Sequence, residues 1–331
     1  MSSTKQKLNA VKLAALVGDF GVAVPLVVGD FGGGAAGMSA GDAWVFVDTP
    51  VGTHAGAQLG AALAWALRRM ATRLFVLTDD AAVAALMARR ALAFRLPITA
   101  FVVDGRSLVP VAAAPLPIAA VASAQHLAFI ETIDAGGADP VVEHDVVAGE
   151  VFGLEVCRVI TDLDTNQARL EVGIGAHDRE TFQLLHAHRP IVEALRSVVE
   201  LVAAVRHETA VAHPLNRLAQ ERALRARLIA DPGLIGATTM RATSPPIPRA
   251  NVKDSVPAVG VALVDGREHV VVCSCGVNLE LIPFAVDARQ SLGIESLIVA
   301  LPARDLLPIL QLINEQLIVP AMVVPVHPAV A

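Results

Sequence analysis

Residues 269–273, HVVVC, decide the fold through the segments that come after them in the chain: a helix-forming stretch around Leu279–Leu292, the apolar run SLIVA at 296–300, the helical pattern DLLPILQLINEQL at 305–317 and PAMVVPV at 320–326. The same order stands about 225 residues earlier. There WVFVD (44–48) leads to a small-residue helix, RLFVL (73–77), AAVAALMARRALAF (81–94) and PITAFVV (97–103). From Leu74 to Pro97 is 23 positions, and from Leu297 to Pro320 is also 23. Few residues are identical, so period and spacing carry the comparison. Short apolar runs alternating with helical patterns read as parallel strands joined by crossover helices.

Each unit opens on a further strand. In the second, VGVALV (259–264) and HVVVC flank Asp265-Gly266, a strong two-residue hairpin signal because both turn positions need positive φ. In the first, VAVPLVV (22–28) and WVFVD are separated by a Gly-rich stretch read as a loop. Asp104-Gly105 is expected to return the chain along LVPV. The fold class expected is therefore α/β, with two repeated ββαβαβ units in a pseudo-twofold arrangement flanking a central antiparallel β-hairpin and a helical segment. The boundaries read as 1–112 for the first unit, 113–180 for a connector and β-rich segment, 181–242 for helices, 243–257 for a Pro-rich linker and 258–331 for the second unit. The β-rich segment comprises LAFIETI (127–133), VFGLEVCRVIT (151–161) and ARLEVGIGA (168–176). The turn DLDTNQ pairs the last two. Pro190 and Pro214 mark breaks in the helical segment.

Composition agrees with this class. Hydrophobic residues make up 54% and charged residues 18%, as strands covered on both faces require. The net charge of −6 argues against a general nucleic-acid binder, which needs a basic face. Three cysteines suit a reducing compartment without a disulfide framework. Asp19, Pro25 and the glycines interrupt the apolar N-terminal run, and no stretch reaches the ~20 apolar residues a membrane helix needs. The expectation is a soluble, cytoplasmic protein.

Several groups carry chemistry. Gly32, Gly34 and Gly37 match GxGxxG formally, but Trp44 comes too soon for the helix a dinucleotide site requires, so a hairpin loop is the favoured reading. Asp48, Thr53 and His54 lie at the end of a parallel strand and the start of a helix, where anionic ligands bind. Ser274 and Asn278 occupy the matching place in the second unit; the competing reading is a tight turn capped by Thr53 and Asn278. Cys273 and Cys275 read as buried thiols, because His269 lies roughly 13 Å away at strand rise. Asp162, Asp164 and Asn166 begin like a calcium loop, but Gln167 and Gly173 replace the Gly and Glu such a loop needs. A polar turn results.

Glu155 and Glu171 sit among apolar strand residues, and His177 and Asp178 come next at a helix start. Carboxylates on paired strands can hold a divalent metal for phosphoester hydrolysis; a solvated polar face is the competing reading. The one basic stretch contains His213, Asn216, Arg217, Glu221, Arg222, Arg225 and Arg227. Arg217, Glu221 and Arg225 have the spacing of an exposed ion-pair ladder, and Arg217 and Arg222 are also candidates to grip an anion.

These residues support three function classes: a binder of a small anionic, nucleotide-like ligand at the strand ends (Asp48, Thr53, His54, Ser274, Asn278, Arg217, Arg222); a metal-dependent hydrolase or nuclease using Glu155, Glu171, His177 and Asp178; or a non-catalytic, homo-oligomeric assembly subunit. The first leads. A divalent metal is expected only under the second, and no metal ligands or other cofactor are identified. The expected partner is a small anion, with nucleic acid disfavoured and no membrane.

Overall fold

A computed structural model describes residues 3–48, 58–186, 189–207, 213–248 and 255–327. The fold is mixed α/β and contains three sheets. The chain divides into two compact units: residues 1–116 with 277–290 and 306–321, and residues 117–276 with 291–305 and 322–331. No helix among the described residues is long and apolar enough to cross a membrane.

The first unit contains α1 (Ser3–Asp19), β1 (Val27–Gly29), β2 (Gly34–Ser39), β3 (Asp42–Val47), α2 (Leu59–Leu67), β4 (Arg73–Thr78), α3 (Ala81–Ala91), β5 (Ile98–Asp104) and β6 (Ser107–Pro110). Its six strands lie side by side in chain order. The pairings β3–β4–β5 are parallel, and β1–β2, β2–β3 and β5–β6 are antiparallel. Every residue of β3 is buried. Leu13, Leu16 and Val17 of α1 pack on Trp44, Phe46 and Phe101. Asp80 starts α3 by accepting the N–H groups of Ala82 and Val83.

The second unit begins with α4 (Ala124–Leu127) and α5 (Ile130–Ala135). A four-stranded antiparallel meander comes next: β7 (Asp139–Glu143), β8 (Val146–Val151), β9 (Leu154–Thr161) and β10 (Ala168–Val172). Then come α6 (Ala176–His186), α7 (Ile191–Ala203) and α8 (Gln220–Ala230). The last sheet is β11 (Thr239–Thr243), β12 (Ala258–Val264), β13 (Arg267–Cys273), β14 (Leu297–Pro302) and β15 (Met322–Val326), in that order, with β13–β14–β15 parallel. Helices α9 (Leu281–Leu292) and α10 (Pro308–Glu315) come after β13 and β14 in the chain, yet residues 277–290 and 306–321 cluster with the first unit. Within that unit α10 packs on α2, and Phe94 and Leu317 form an isolated antiparallel bridge. Ile318 N–H donates to the Ala93 carbonyl at 2.9 Å, and Arg95 N–H to that of Gln316 at 2.7 Å.

Two segments differ from expectation. The Gly-rich stretch is not a loop: Gly34–Ser39 forms β2, inserted between β1 and β3. Its small residues let neighbours close in, and a β-carbon on Gly37 would stand 2.6 Å from the Leu26 side chain. LAFIETI is helical rather than extended. Ser123 Oγ accepts the His126 N–H at 3.2 Å to start α4, Ile133 of α5 is fully buried, and Gly137 with φ +84° turns the chain out of the helix. Helix α1 ends at Asp19, the residue expected to break the N-terminal run. The two Asp-Gly turns also differ from each other. Val264 pairs with Arg267, so Asp265 and Gly266 are the central residues with φ +48° and +73°. Asp104 itself pairs with Ser107, which moves the turn one residue along to Gly105 and Arg106.

Candidate functional site

The meander carries a buried network of carboxylates and guanidinium groups. Register places Glu150 of β8 opposite Glu155 of β9, side by side beneath α8 and α6. Two carboxylates cannot be buried together unless cations answer them. Arg158 grips both oxygens of Glu155 at 2.9 and 2.8 Å, Arg179 of α6 donates to the same carboxylate at 3.0 Å, and Arg222 of α8 stands 3.8 Å away. Arg222 donates to Glu150 at 3.2 Å, and Arg225 reaches both Glu150 oxygens as well as Glu143. Burial pulls down the pKa of Arg225, but Glu150 and Glu143 more than reverse this, so its charge is held firmly. Arg179 also lies 3.6 Å from Glu171, whose closer partner is Arg169 at 3.0 Å.

Glu155, Glu171 and Arg222 are therefore brought into one network. The other two residues expected with the glutamates are not. His177 is fully exposed, and Asp178 accepts the Ile174 N–H at 2.7 Å, a helix-start contact. Among the described residues, no group of three His, Cys, Asp or Glu side chains is placed to hold a metal ion. The expected ladder Arg217–Glu221–Arg225 also does not form as an exposed row, because Glu221 and Arg225 are buried and Arg225 turns to Glu143 and Glu150.

At the carboxyl end of β13 lies a polar pocket of about 210 Å³, lined by residues 217–221, Ser255 and Cys275. The segment 217–221 leads into α8, whose N-cap residue is Ala219 in the left-handed conformation (φ +48°). Alanine offers no side-chain acceptor, so the first-turn N–H groups of α8 have no side-chain cap. Arg206 holds this segment in place: buried itself, it donates to the carbonyls of Phe152, Leu215 and Ala219 at 3.0, 2.7 and 3.3 Å. Burial lowers its pKa to about 10, which still leaves it charged at neutral pH.

Two buried polar side chains that adjoin lining residues in the chain, Asn216 beside Arg217 and Ser274 beside Cys275, have no partners. Asn216 is fully buried, and neither its amide nitrogen nor its oxygen is hydrogen-bonded; Ser274 Oγ, at the end of β13, is equally buried and unpaired. Groups of this kind are uncommon in folded proteins and mark places where a water or ligand is needed. The turn after β13 is fixed by Asp305, whose carboxylate accepts the Gly276 N–H at 2.7 Å. Burial, with Glu221, Cys273 and Asp305 nearby, pushes the Cys275 thiol up to about 12, so it is a neutral lining group rather than a nucleophile.

The corresponding end of β3 in the first unit is closed from within. Asp48 accepts from Asn9 at 2.9 Å and pairs with Lys5 at 2.8 Å; burial would raise its pKa, but the Lys5 and Asn9 contacts hold it below the ordinary carboxylate value. The amino end of α2 receives the Glu280 carboxylate, which accepts the Gly60 N–H at 2.5 Å. Asn278 caps the next helix by accepting the Glu280 N–H at 2.9 Å. Thr53 and His54 lie outside the described residues.

The sequence reading missed Arg206 and Glu280 as actors. Asn216 stood within the basic stretch it singled out, but only the tertiary structure shows Asn216 unpaired and Arg206 clamping three carbonyls. Asp162, in contrast, makes the polar turn expected of it, accepting the N–H groups of Asp164 and Thr165. Comparison of the chain with protein-family models, with curated proteins and with solved structures finds no match.

Proposed function

We propose that the protein binds a small polar anion, of phosphate or nucleotide type, in the pocket at the carboxyl end of β13. The observation that carries this reading is the uncapped helix start at Ala219 within the pocket lining, next to the cation Arg217; the buried, unpartnered Asn216 and Ser274 adjoin lining residues in the chain. A helix amino end and a strand carboxyl end are the two backbone features that favour anions in open α/β sheets. Arg217 supplies a cation at the rim, and Gln220 and Ser255 supply hydrogen bonds.

The idea of two related units draws support from the Phe94–Leu317 bridge. Those residues are 223 positions apart, the offset that also separates Leu74 from Leu297 and Pro97 from Pro320. On this reading the strand-end site is used in the second unit, while Glu280 fills its counterpart in the first. Binding is favoured over hydrolysis because Glu155 and Glu150 are committed to guanidinium groups and Cys275 is protonated.

Isothermal titration with pyrophosphate and with adenosine monophosphate at low ionic strength tests the proposal. Arg217→Ala and Ser255→Trp are expected to weaken binding at least about tenfold, the worth of one charge-assisted contact, with little change in melting temperature. Equal affinity in wild type and both variants, or no heat with either anion, rejects the pocket as the site.

A further inference from the structure

Where β7 turns into β8, Glu143 pairs with Val146, leaving His144 and Asp145 as a two-residue turn. His144 has φ +56°, a conformation that glycine normally supplies at the first position of such a hairpin. A histidine kept there despite the strain invites a functional explanation. Its N–H donates to Ser244 Oγ at 2.7 Å, while its ring Nε2 is shielded from water and has no hydrogen-bond partner.

Two cavities meet at this turn. One is a recess of about 60 Å³ among Glu143, Glu150, Glu155, Arg158 and Arg222. The other is a groove of about 420 Å³ between residues 117–120 and 243–248, a volume that suits a small ligand. His144, Asp145 and Pro248 line both. The groove walls are mainly apolar, with Pro117, Ile118, Pro245 and Pro246 prominent, and Ile118 is left 97% exposed beside them.

The charges at the junction select the ligand. The recess cations are already used: Arg158 by both oxygens of Glu155, and Arg222 by Glu150. Glu143 is answered by Arg225. Asp145 is exposed; Arg158 feels its charge through space, but Asp145 has no ion-pair partner among the described residues. The mouth therefore offers the exposed Asp145 carboxylate to a donor, and would repel an anion. A neutral hydroxyl would leave the Asp145 charge unanswered.

We propose that this groove binds a small primary amine with an apolar body. The ammonium group donates to the Asp145 carboxylate, the His144 imidazole forms part of the wall, and the body lies along Ile118, Pro245 and Pro246. This site is separate from the anion pocket and does not depend on it.

Calorimetric titration of the full chain with three probes of equal length (hexylammonium, 1-hexanol and hexanoate) tests the assignment. The amine is expected to bind at least about tenfold more tightly than the alcohol, as a charge-assisted contact implies, and hexanoate not at all. Asp145→Asn should reduce amine affinity to that of the alcohol, and Ile118→Ser should weaken both. Asp145 has no ion pair to lose among the described residues, so the melting temperature of Asp145→Asn should stay close to wild type and show that the loss is local. Equal binding of the three probes, no amine binding at millimolar concentration, or unchanged amine affinity in Asp145→Asn overturns the proposal.

Discussion

The Glu280 carboxylate closes the amino end of a helix 220 residues away in the chain, accepting the Gly60 N–H at 2.5 Å while Arg90 Nη1 stands 3.5 Å off. A carboxylate at a helix start is favourable as an anion. Here burial outweighs that help and the attraction of Arg90, raising the Glu280 pKa to about 8. The folded state thus holds a proton that the unfolded chain releases near pH 4.5. The stability that this proton contributes is complete below the unfolded value and is lost as pH rises through about 8. Glu280→Gln cannot titrate. Its melting temperature minus that of wild type should therefore climb from pH 5 to pH 8 and level off above. A difference that stays flat across this range would show that Glu280 does not carry the proton.

A second prediction separates the two glutamates that the sequence groups as a metal site. Glu155 answers Arg158, Arg179 and Arg222 in a buried setting, so Glu155→Gln leaves uncompensated guanidinium charge and should cost about 3–5 kcal/mol. Glu171 is contacted mainly by the partly exposed Arg169, so Glu171→Gln should cost about 1 kcal/mol. Urea denaturation of both variants decides the matter. Similar losses would mean that the network is not organised around Glu155.

Much of the architecture was legible because it rests on local pattern. The parallel strands at 73–78 and 297–302 are apolar runs bounded by helix signals, and Asp265-Gly266 makes the turn its residues demand. Strand β2 was not legible, because GAAGMS has neither branched side chains nor alternation; it is extended because β1 and β3 pair with it on both sides. LAFIETI has strand composition, yet three apolar residues, Phe129, Ile130 and Ile133, also fit one helix face, and packing chose the helix. The buried arginines deceived for a related reason. Spacing shows which residues share a helix face, but not whether carboxylates from another strand wait beneath it.

The three cysteines give a chemical check on burial. Desolvation raises the thiols of Cys157, Cys273 and Cys275 each to about 12. At pH 8 only about one thiol in ten thousand is then ionised, and the thiolate is the reactive form. Ellman's reagent should label close to none of the three in the native protein and all three in denaturant. Rapid labelling of a single native cysteine would point to Cys275, the only one of the three that is not fully buried, and would mean that its pocket is more open and more solvated than described.

His144 allows strain and function to be weighed at one position. Its φ of +56° costs about 1–2 kcal/mol relative to a relaxed backbone. Glycine removes that strain but returns roughly 0.5–1 kcal/mol through the added freedom of its unfolded chain. His144→Gly should therefore be slightly more stable than wild type, with a melting temperature higher by about 1–3 °C. The same substitution deletes the imidazole that lines both cavities, so it should weaken hexylammonium binding while gaining stability. Opposite movement of the two quantities is the signature of a residue kept for its ligand. A fall in melting temperature would instead mean that the imidazole packs favourably enough to hold the turn, and that the strain is structural in origin.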